Sequence, residues 1–305
     1  MAKTVQVQKK REKKDYILLL FLFPGLVFLI LFRYAPMYGL VTAFKDYNIF
    51  AGISDSPWVG FKHFKILFAS SDFKRVLINT LRISLGKILV SFPLSIIIAV
   101  MINEITQKYL KKFYQTVLYL PHFLSWVIVA GLVQTVLSPS GGVVNQIISA
   151  LGGESVAFMM DKGWFPVVVV LSDAWKDVGY KAIVYIAAIT AISPDLYEAA
   201  ALDGAGKLKQ ILHITIPGIM PTIVMMFVLQ LGGIMNANTE QMLLMYNPTV
   251  FQTGDVLGTY VYRTGLSSMQ YSYATAVGLF ESIVGFTLVM LGNFFSKKTS
   301  GRSAW

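Results

Sequence analysis

Residues 201–210, ALDGAGKLKQ, contain Gly-Ala-Gly-Lys, a tetrapeptide that suggests phosphate chemistry. A phosphate-binding loop needs G-x-x-x-x-G-K-[ST] between a strand and a helix, so that backbone N–H groups surround the phosphates and a hydroxyl binds Mg²⁺. Here Leu208 follows Lys207, and Ala201 stands where the first glycine is required. No strand pattern precedes the loop. The sequence therefore argues against nucleotide binding by this chain.

The residue types that usually carry catalysis or bind metals are sparse. The three histidines, His63, His122 and His213, are far apart, and the chain has no cysteine. This spacing matches neither a metal-ligand set nor a nucleophile–base arrangement. We predict no catalytic residue and no metal site, which disfavours a membrane enzyme.

Charged residues interrupt one apolar stretch in the segment SDAWKDVGYK. Asp173, Lys176, Asp177, Tyr180 and Lys181 have the spacing of one helix face. We expect Asp173 to pair with Lys176, and Asp177 with Lys181. Because charges in a bilayer are costly, this face should meet a cavity or a partner. Contact with a transported substrate and a self-neutralised seam against a partner subunit both remain open.

A second polar group ends a later apolar stretch. Asn236 and Glu240 are four residues apart, which would place them on one helix face, and Tyr246 follows. A few polar groups among aromatic rings suit sugar recognition, although a single Trp in a span more often serves packing or anchoring. The predicted substrate path therefore consists of Trp126, Asp173, Trp175, Lys176, Tyr180, Asn236, Glu240 and Tyr246.

Two further cations lie near the start of an earlier apolar stretch. Arg82 and Lys87 could bind an anionic sugar such as a uronate, or could lie near the outer membrane interface, snorkelling or paired. We favour the interfacial position. Gly232 and Gly233 either loosen the helix beside the second polar group or allow close helix packing.

Long apolar stretches position these residues. The 305-residue chain is 55% hydrophobic and 14% charged, whereas soluble domains carry about a quarter charged residues. A bilayer-spanning helix needs about 20 apolar residues. The predicted spans are 16–34, 78–102, 116–137, 164–191, 221–245 and 275–295. The first is too long for a signal peptide and lacks a cleavage signal, so we interpret it as a retained anchor.

Basic residues predict the orientation of these spans. With the N-terminus in the cytoplasm, the inner segments hold 14 Lys and Arg and the outer ones hold 7, five of them in the loop 35–77. Both termini and residues 192–220 are then cytoplasmic. The loop 35–77 is either an amphipathic surface segment or a contact for an extracytoplasmic partner. Six of the basic residues lie within the first fourteen, a distribution unlike a nucleic-acid footprint.

The segment 192–220 predicts two helices joined by a turn. Ser193 is suited to the N-cap, Pro194 to the first helical position, and Gly204 to a positive φ that ends the first helix after Asp203. The second helix should break at Pro217, and Pro221 should begin the next span.

This segment resembles the EAA loop of ATP-binding cassette (ABC) importer permeases. The matching residues are Glu198-Ala199-Ala200, Asp203-Gly204-Ala205 and Ile214-Thr215-Ile216-Pro217, where Ile216 replaces the usual Leu. Segments within 21–48, 79–85, 119–132, 175–200 and 246–266 resemble the oligosaccharide branch, nearest to the group assigned to polysaccharide-derived saccharides. Thr239 departs from this group, which often has an aromatic residue there.

The resemblance implies a type I permease fold, all-α with six transmembrane helices, in a bacterial cytoplasmic membrane. Residues 1–15 would be a cytoplasmic basic segment, 16–74 the first span and outer loop, 75–295 the permease core, and 296–305 a cytoplasmic tail. Residues 192–220 would be the coupling loop that transmits movement of an ATPase, with Glu198 bonded to a basic group there and His213 on the docking surface. The coupling residues would be Glu198, Ala199, Ala200, Asp203, Gly204, Ala205 and Pro217.

The same resemblance implies the partners. This chain would bind no cofactor, while two ATP-binding subunits would hold ATP and Mg²⁺. A second, homologous permease would form a heterodimer with it, and an extracytoplasmic solute-binding protein would deliver the saccharide. The main alternative is a secondary carrier that works alone. Such a carrier predicts inverted repeats with discontinuous helices, and the sequence shows no clear repeat.

Overall fold

The computed structural model describes residue 16 and residues 19–300, with side chains at 295, 296 and 298–300 left undescribed. The predicted basic segment 1–15 and the end of the predicted tail, 301–305, lie outside the described residues. Within the described part, the chain forms helices and no β-strand, with only two isolated bridges in the loop after the first span. This confirms the predicted all-α class.

The twelve main helices of the described residues are joined by connections that range from a single residue, Ser70, to the segment 45–61. In chain order they are α1 Leu19–Phe44, α2 Lys62–Ala69, α3 Ser71–Glu104, α4 Lys108–Phe123, α5 Trp126–Val136, α6 Val143–Ala150, α7 Trp164–Thr190, α8 Pro194–Leu202, α9 Lys207–Gly232, α10 Thr239–Met245, α11 Leu257–Tyr262 and α12 Tyr271–Ser300. Helices α1, α3, α9 and α12 are each long and apolar enough to span a membrane, and the bent pairs α4–α5 and α7–α8 raise the possible number of spans to six. The predicted set of six spans thus has a counterpart in the structure.

The prediction of a continuous third span over 116–137 is wrong. Helices α4 and α5 meet at a bend of 100°. Pro121 lies in the tight last turn of α4, and Ser125 begins α5 as its N-cap, accepting a hydrogen bond from the backbone N–H of Ile128 at 3.4 Å. A proline followed by a capping serine ends one helix and starts another.

The predicted fifth span, 221–245, is also wrong in its bounds. Helix α9 already begins at Lys207 and runs through Pro217 and Pro221. A π-helical turn at Ile211–Thr215 ends two residues before Pro217. This turn rearranges the backbone hydrogen bonds, so the missing proline N–H is tolerated. The helix then ends at Gly232, where an added Cβ would lie 2.7 Å from the Val289 side chain. The close packing suggested for Gly232 is therefore present, whereas the helix ends at this residue and does not continue in a loosened form.

Helices α3 and α7 form the centre of the structure and make its most extensive helix–helix contact. Buried side chains on both sides of this pair form three apolar clusters. Their large, fully buried members include Phe165 and Met242 in one, Phe73 and Leu257 in the second, and Tyr185 and Ile219 in the third. Helix α1 lies outside them, with its apolar side chains exposed, and contacts α12 near its end through the hydroxyls of Thr42 and Thr275, 3.2 Å apart.

The segment between α1 and α3 contains an amphipathic helix, α2. In α2, His63 and Leu67 are buried while the neighbouring lysines face outward. Lys62 pairs with Asp46 at 2.8 Å, and this contact lowers the pKa of the Asp46 carboxyl below its ordinary value. The loop is therefore folded onto the membrane domain as an ordered unit.

Candidate coupling loop and polar path

The coupling-loop residues form a helix with a closed C-terminal end. Helix α8 follows Ser193, which has extended backbone angles, and has Pro194 at its first position, as predicted. At its other end Gly204 has φ +77°. The Gly204 N–H donates to the Ala201 carbonyl at 3.0 Å, and the Ala205 N–H donates to the Ala200 carbonyl at 2.8 Å. These two bonds are a Schellman motif, which satisfies carbonyls at the helix end.

The geometry of this helix end explains which residue types occur in the EAA-like motif. Only a residue without a Cβ adopts the left-handed conformation at low cost, which accounts for Gly204. Small side chains at Ala199, Ala200 and Ala205 keep the surface of the turn smooth. Glu198 and Asp203 are exposed beside them. Pro217 lies farther along, exposed on α9.

The coupling loop is fixed to the spans at its edges and open at its tip. Lys207 pairs with Glu104 at the end of α3 at 3.0 Å, and the Tyr197 and Thr215 hydroxyls are 3.0 Å apart. At the tip, Leu202 is 90% exposed and Leu208 is 70% exposed. Large apolar side chains exposed on a polar loop are typical of a binding surface for another protein. His213 is exposed on the same loop.

The polar face of α7 is bonded to other helices. The expected pairs Asp173–Lys176 and Asp177–Lys181 are wrong. Asp173 pairs instead with Lys87 of α3 at 3.2 Å. The Lys176 ammonium donates to the carbonyls of His122 and Leu124, at 2.5 Å and 2.8 Å. Both Asp173 and Lys176 are buried.

Lys176 thus stabilises the bend between α4 and α5. A break in a membrane helix leaves carbonyl groups that need new donors, and an ammonium group supplies them. Its Nζ also lies 5.6 Å from the centre of the buried Trp126 ring. The sequence located this lysine and its face, but the broken backbone that it binds was not expected.

His122 is a residue of this site that the sequence reasoning missed. Its Nδ1 lies 2.9 Å from Asp177, and its ring stacks on Tyr180 at 3.7 Å between centroids. The ring of Tyr180 is still partly exposed, as is Trp175. Position in the chain gave one signal, because His122 directly follows Pro121 at the helix break.

Asn236 and Glu240, which the sequence grouped as a second set of polar residues, lie at the turn between α9 and α10. The expectation that Asn236 and Glu240 share one helix face is wrong, because α9 has ended at Gly232. Asn236 belongs to the turn and Glu240 to the first turn of α10. Both remain exposed. Tyr246 follows α10 and stacks on Phe251, with ring centroids 5.1 Å apart.

The two cations of α3 have different surroundings. Lys87 is buried and paired, away from the outer surface where we expected it. Arg82 is exposed and has no ion-pair partner among the residues that the structure describes. The sequence favoured a position near the outer interface for both cations, either snorkelling or paired. For Lys87 the pairing is correct, but the interfacial location is wrong.

An ion pair fixes the segment after α10. Arg263 binds the fully buried Asp255 through two nitrogens, at 3.0 Å and 2.6 Å, and its guanidinium lies 4.8 Å from the centre of the Phe251 ring. The paired carboxylate raises the pKa of Arg263 above its ordinary value. Asn79 of α3 donates to the Asp255 carbonyl at 3.1 Å, so the segment is held against the membrane core.

These observations define a membrane transport subunit. Apolar helices surround polar residues at two helix breaks, and a short exposed helix projects from the spans. Over residues 16 and 19–300 the structure groups no three His, Asp or Glu residues that could hold a metal ion. Residues 91–300 match the family model described as "Binding-protein-dependent transport system inner membrane component", and the chain belongs to this family.

Two proteins of Bacillus subtilis (strain 168) are similar to this chain over nearly its whole length. The chain is 42% identical, over 95% of its length and 93% of the relative's, to the polygalacturonan/rhamnogalacturonan transport system permease protein YteP. It is 40% identical to protein LplB, over 95% of this chain and 90% of that one.

Two solved structures are also similar to this chain. A chain of a bacterial ABC transporter involved in the import of the acidic polysaccharide alginate has a TM-score of 0.88 and 43% identity, with 95% of this chain and 98% of that chain covered. A second structure of the alginate transporter, in complex with a periplasmic protein that holds an alginate pentasaccharide, has a TM-score of 0.88 and 42% identity, with 96% and 98% covered.

The chain is therefore a non-catalytic, multi-pass permease subunit of an ABC importer, and its transport depends on a solute-binding protein. The stand-alone carrier has no support among these relatives. The resemblance stated from the sequence is confirmed.

Proposed function

We propose that this chain translocates an oligosaccharide released from a polysaccharide, by alternating access, with the segment 192–220 as its coupling loop. One observation carries the proposal. The residues that match the EAA motif form an exposed helix whose end is closed by a Schellman motif and whose tip exposes Leu202 and Leu208. A preformed surface of this kind can enter a cleft on another protein without further ordering cost.

In the proposed assembly, two ATP-binding subunits hold ATP and Mg²⁺ and contact the coupling loops. A second, homologous permease pairs with this chain as a heterodimer. Both termini and the coupling loop lie in the cytoplasm of a bacterium, because the inner segments carry twice as many basic residues as the outer ones, 14 against 7. The solute-binding protein then docks on the opposite face of the membrane.

The saccharide class is supported by the relatives named above and by the residues of the path. Exposed Trp175, Tyr180, Asn236 and Glu240 supply aromatic surface and hydrogen-bonding groups, the combination that sugar sites use. Trp126, Asp173 and Lys176 are buried in this conformation, and Tyr246 is partly buried. We propose that the four exposed side chains contact the saccharide and that the buried ones hold the path in shape.

The coupling function is tested by charge reversal at Glu198. Complexes purified through a tag on this chain are analysed by native mass spectrometry, with Glu198→Lys beside the wild type. We expect the wild type to carry two ATP-binding subunits and a second permease. Glu198→Lys should retain the second permease and lose the ATP-binding subunits, because it places a cation against a basic group.

Glu154→Lys is the matched control, since Glu154 is an exposed acid in the segment before α7, away from the coupling loop. It should leave the assembly intact. If Glu198→Lys keeps both ATP-binding subunits, or if both variants lose them equally, the proposed docking surface is wrong.

A further inference from the structure

The turn that ends the fifth span has an unfavourable backbone conformation. Ala237 and Asn238, which connect α9 to α10, have φ values of +50° and +58°. This left-handed region costs little for glycine and is adopted occasionally by asparagine, but it is unfavourable for alanine, so Ala237 is the strained residue of the pair. Such a conformation persists only where surrounding contacts impose it, and it is typical of functional sites.

A single ammonium group supplies the main contact. Lys87 Nζ donates to the Ala237 carbonyl at 3.0 Å and to the Gln241 side-chain oxygen, and it lies 3.2 Å from Asp173 Oδ1. The three acceptors match the three N–H groups of an ammonium. Lys87 reaches them from α3, Asp173 belongs to α7, Ala237 is in the turn and Gln241 is in α10. One side chain therefore joins three elements at the helix break.

The side chain of Gln241 connects this turn to α7. It is fully buried, and its amide nitrogen donates to the Val169 carbonyl at 2.8 Å and to the Ser172 hydroxyl at 2.9 Å. Because both amide hydrogens are used on α7, the amide oxygen is directed at Lys87. The turn is thus bound to α7 on one side and to α3 on the other.

The exposed polar residues depend on this turn. The Asn236 side chain accepts from the Thr239 N–H, and the Asn238 side chain accepts from the Gln241 N–H, each at 3.3 Å. Asn236 lies directly before the left-handed pair and Glu240 two residues after it. A change of φ at Ala237 or Asn238 would therefore move both residues relative to each other.

We propose that Lys87 is a positioning residue for transport: it holds the Ala237–Asn238 turn in its left-handed conformation and so sets the positions of Asn236 and Glu240 in the path. This rests on the proposed function, because those two residues contact the saccharide there. Lys87 itself does not touch the saccharide. A lysine that merely neutralises Asp173, or one that binds an anionic sugar, predicts different behaviour.

The test compares Lys87→Met with the double variant Lys87→Met/Ala237→Gly in the assembled complex. Glycine accepts the left-handed conformation, so it should restore a turn that has lost its ammonium. Hydrogen exchange of residues 233–242, measured by mass spectrometry, reports the turn without any saccharide. We expect exchange about tenfold faster in Lys87→Met and a return to within about threefold of the wild type in the double variant.

Transport of oligogalacturonate from its loaded binding protein into proteoliposomes is the functional arm. It should fall about tenfold in Lys87→Met and recover with Ala237→Gly if the turn places the binding groups. A second double variant, Lys87→Met/Asp173→Leu, removes both charges. It should recover transport only if Lys87 serves to neutralise Asp173.

The outcomes are distinct. Recovery by Ala237→Gly in exchange and transport supports positioning. Recovery by Asp173→Leu alone, or lost transport with unchanged exchange, overturns it. If the wild-type complex does not transport the probe, the proposed function fails for this saccharide class, while the exchange data still decide whether Lys87 holds the turn.

Discussion

Single charged residues join the helices of this permease. An isolated charge in a bilayer is costly, so such residues pair with each other or with freed backbone groups. Asp173 takes its partner from α3, whereas Lys176 takes carbonyl groups at the break between α4 and α5. In both cases the bond crosses from α7 to another element. Lys176 itself binds the irregular backbone, whereas Asp173 binds Lys87, whose ammonium also donates to the Ala237 carbonyl in the turn after α9.

Replacement of Lys176 should therefore destabilise the bend. Lys176→Met leaves the His122 and Leu124 carbonyls without their donor, which we expect to cost about 2–4 kcal/mol. The thermal unfolding midpoint of the detergent-solubilised complex measures this loss.

Lys181→Met is the matched control for Lys176→Met. Lys181 lies on the same face of α7, and among the described residues it makes no hydrogen bond or ion pair. Its replacement should change stability by less than about 0.5 kcal/mol. Equal shifts of the midpoint in both variants would mean that Lys176 does not hold the bend.

At the scale of single residues, the sequence predicted which side chains form the polar face of α7. It did not predict which residues pair with them. Spacing along one helix shows which side chains share a face. It also offered intrahelical pairs, Asp173–Lys176 and Asp177–Lys181, that the structure does not form. Lys87 and His122, the actual partners of Asp173 and Asp177, are distant in the chain. Only tertiary packing of α3 and α4 against α7 brings them close.

At the scale of elements, prolines and glycines had effects that depend on their surroundings. Pro121 lies at the break between α4 and α5, inside a stretch that was predicted to be one continuous span, whereas Pro217 and Pro221 lie inside α9, where a π-helical turn precedes Pro217. The sequence gives no clear signal for such a turn, so the bounds of the fifth span were wrong. The coupling helix was predicted correctly, since its bounds follow from the extended backbone at Ser193, Pro194 at the first helical position and the left-handed Gly204, although the Ser193 side chain makes no capping hydrogen bond.

The two glycines of the coupling loop allow a controlled test of that local chemistry. Gly204 has φ +77°, whereas Gly206 has an ordinary φ of −67°, and neither has an atom within 4 Å of an added Cβ. Gly204→Ala should disfavour the Schellman motif by about 1–2 kcal/mol. We expect the apparent affinity for the ATP-binding subunit to fall about 5- to 30-fold.

Gly206→Ala should leave that affinity within about twofold, because its backbone conformation is open to alanine. Titration of purified ATP-binding subunit onto the immobilised permease pair measures both variants. If the two alanine variants bind equally, the left-handed cap is not needed for docking.

For the whole molecule, the question is which face of the membrane each surface meets. The distribution of basic residues predicts that the coupling loop lies in the cytoplasm and the loop 35–77 outside. Phe50, 95% exposed in that loop, and Leu202, 90% exposed at the tip of the coupling loop, would then lie on opposite sides of the bilayer. The chain has no cysteine of its own, so a single introduced thiol is free of background from this subunit.

The orientation follows from labelling of Phe50→Cys and Leu202→Cys with a membrane-impermeant maleimide. In intact spheroplasts Phe50→Cys should react, and Leu202→Cys should react only after the membrane is opened. If Leu202→Cys reacts in intact spheroplasts and Phe50→Cys does not, the topology is inverted. The EAA-like helix would then lie outside the cell, where no cytoplasmic ATPase can reach it. Reaction of both sites in sealed spheroplasts would contradict the six-span arrangement itself, because three of its spans lie between the two loops and an odd number of spans puts them on opposite faces.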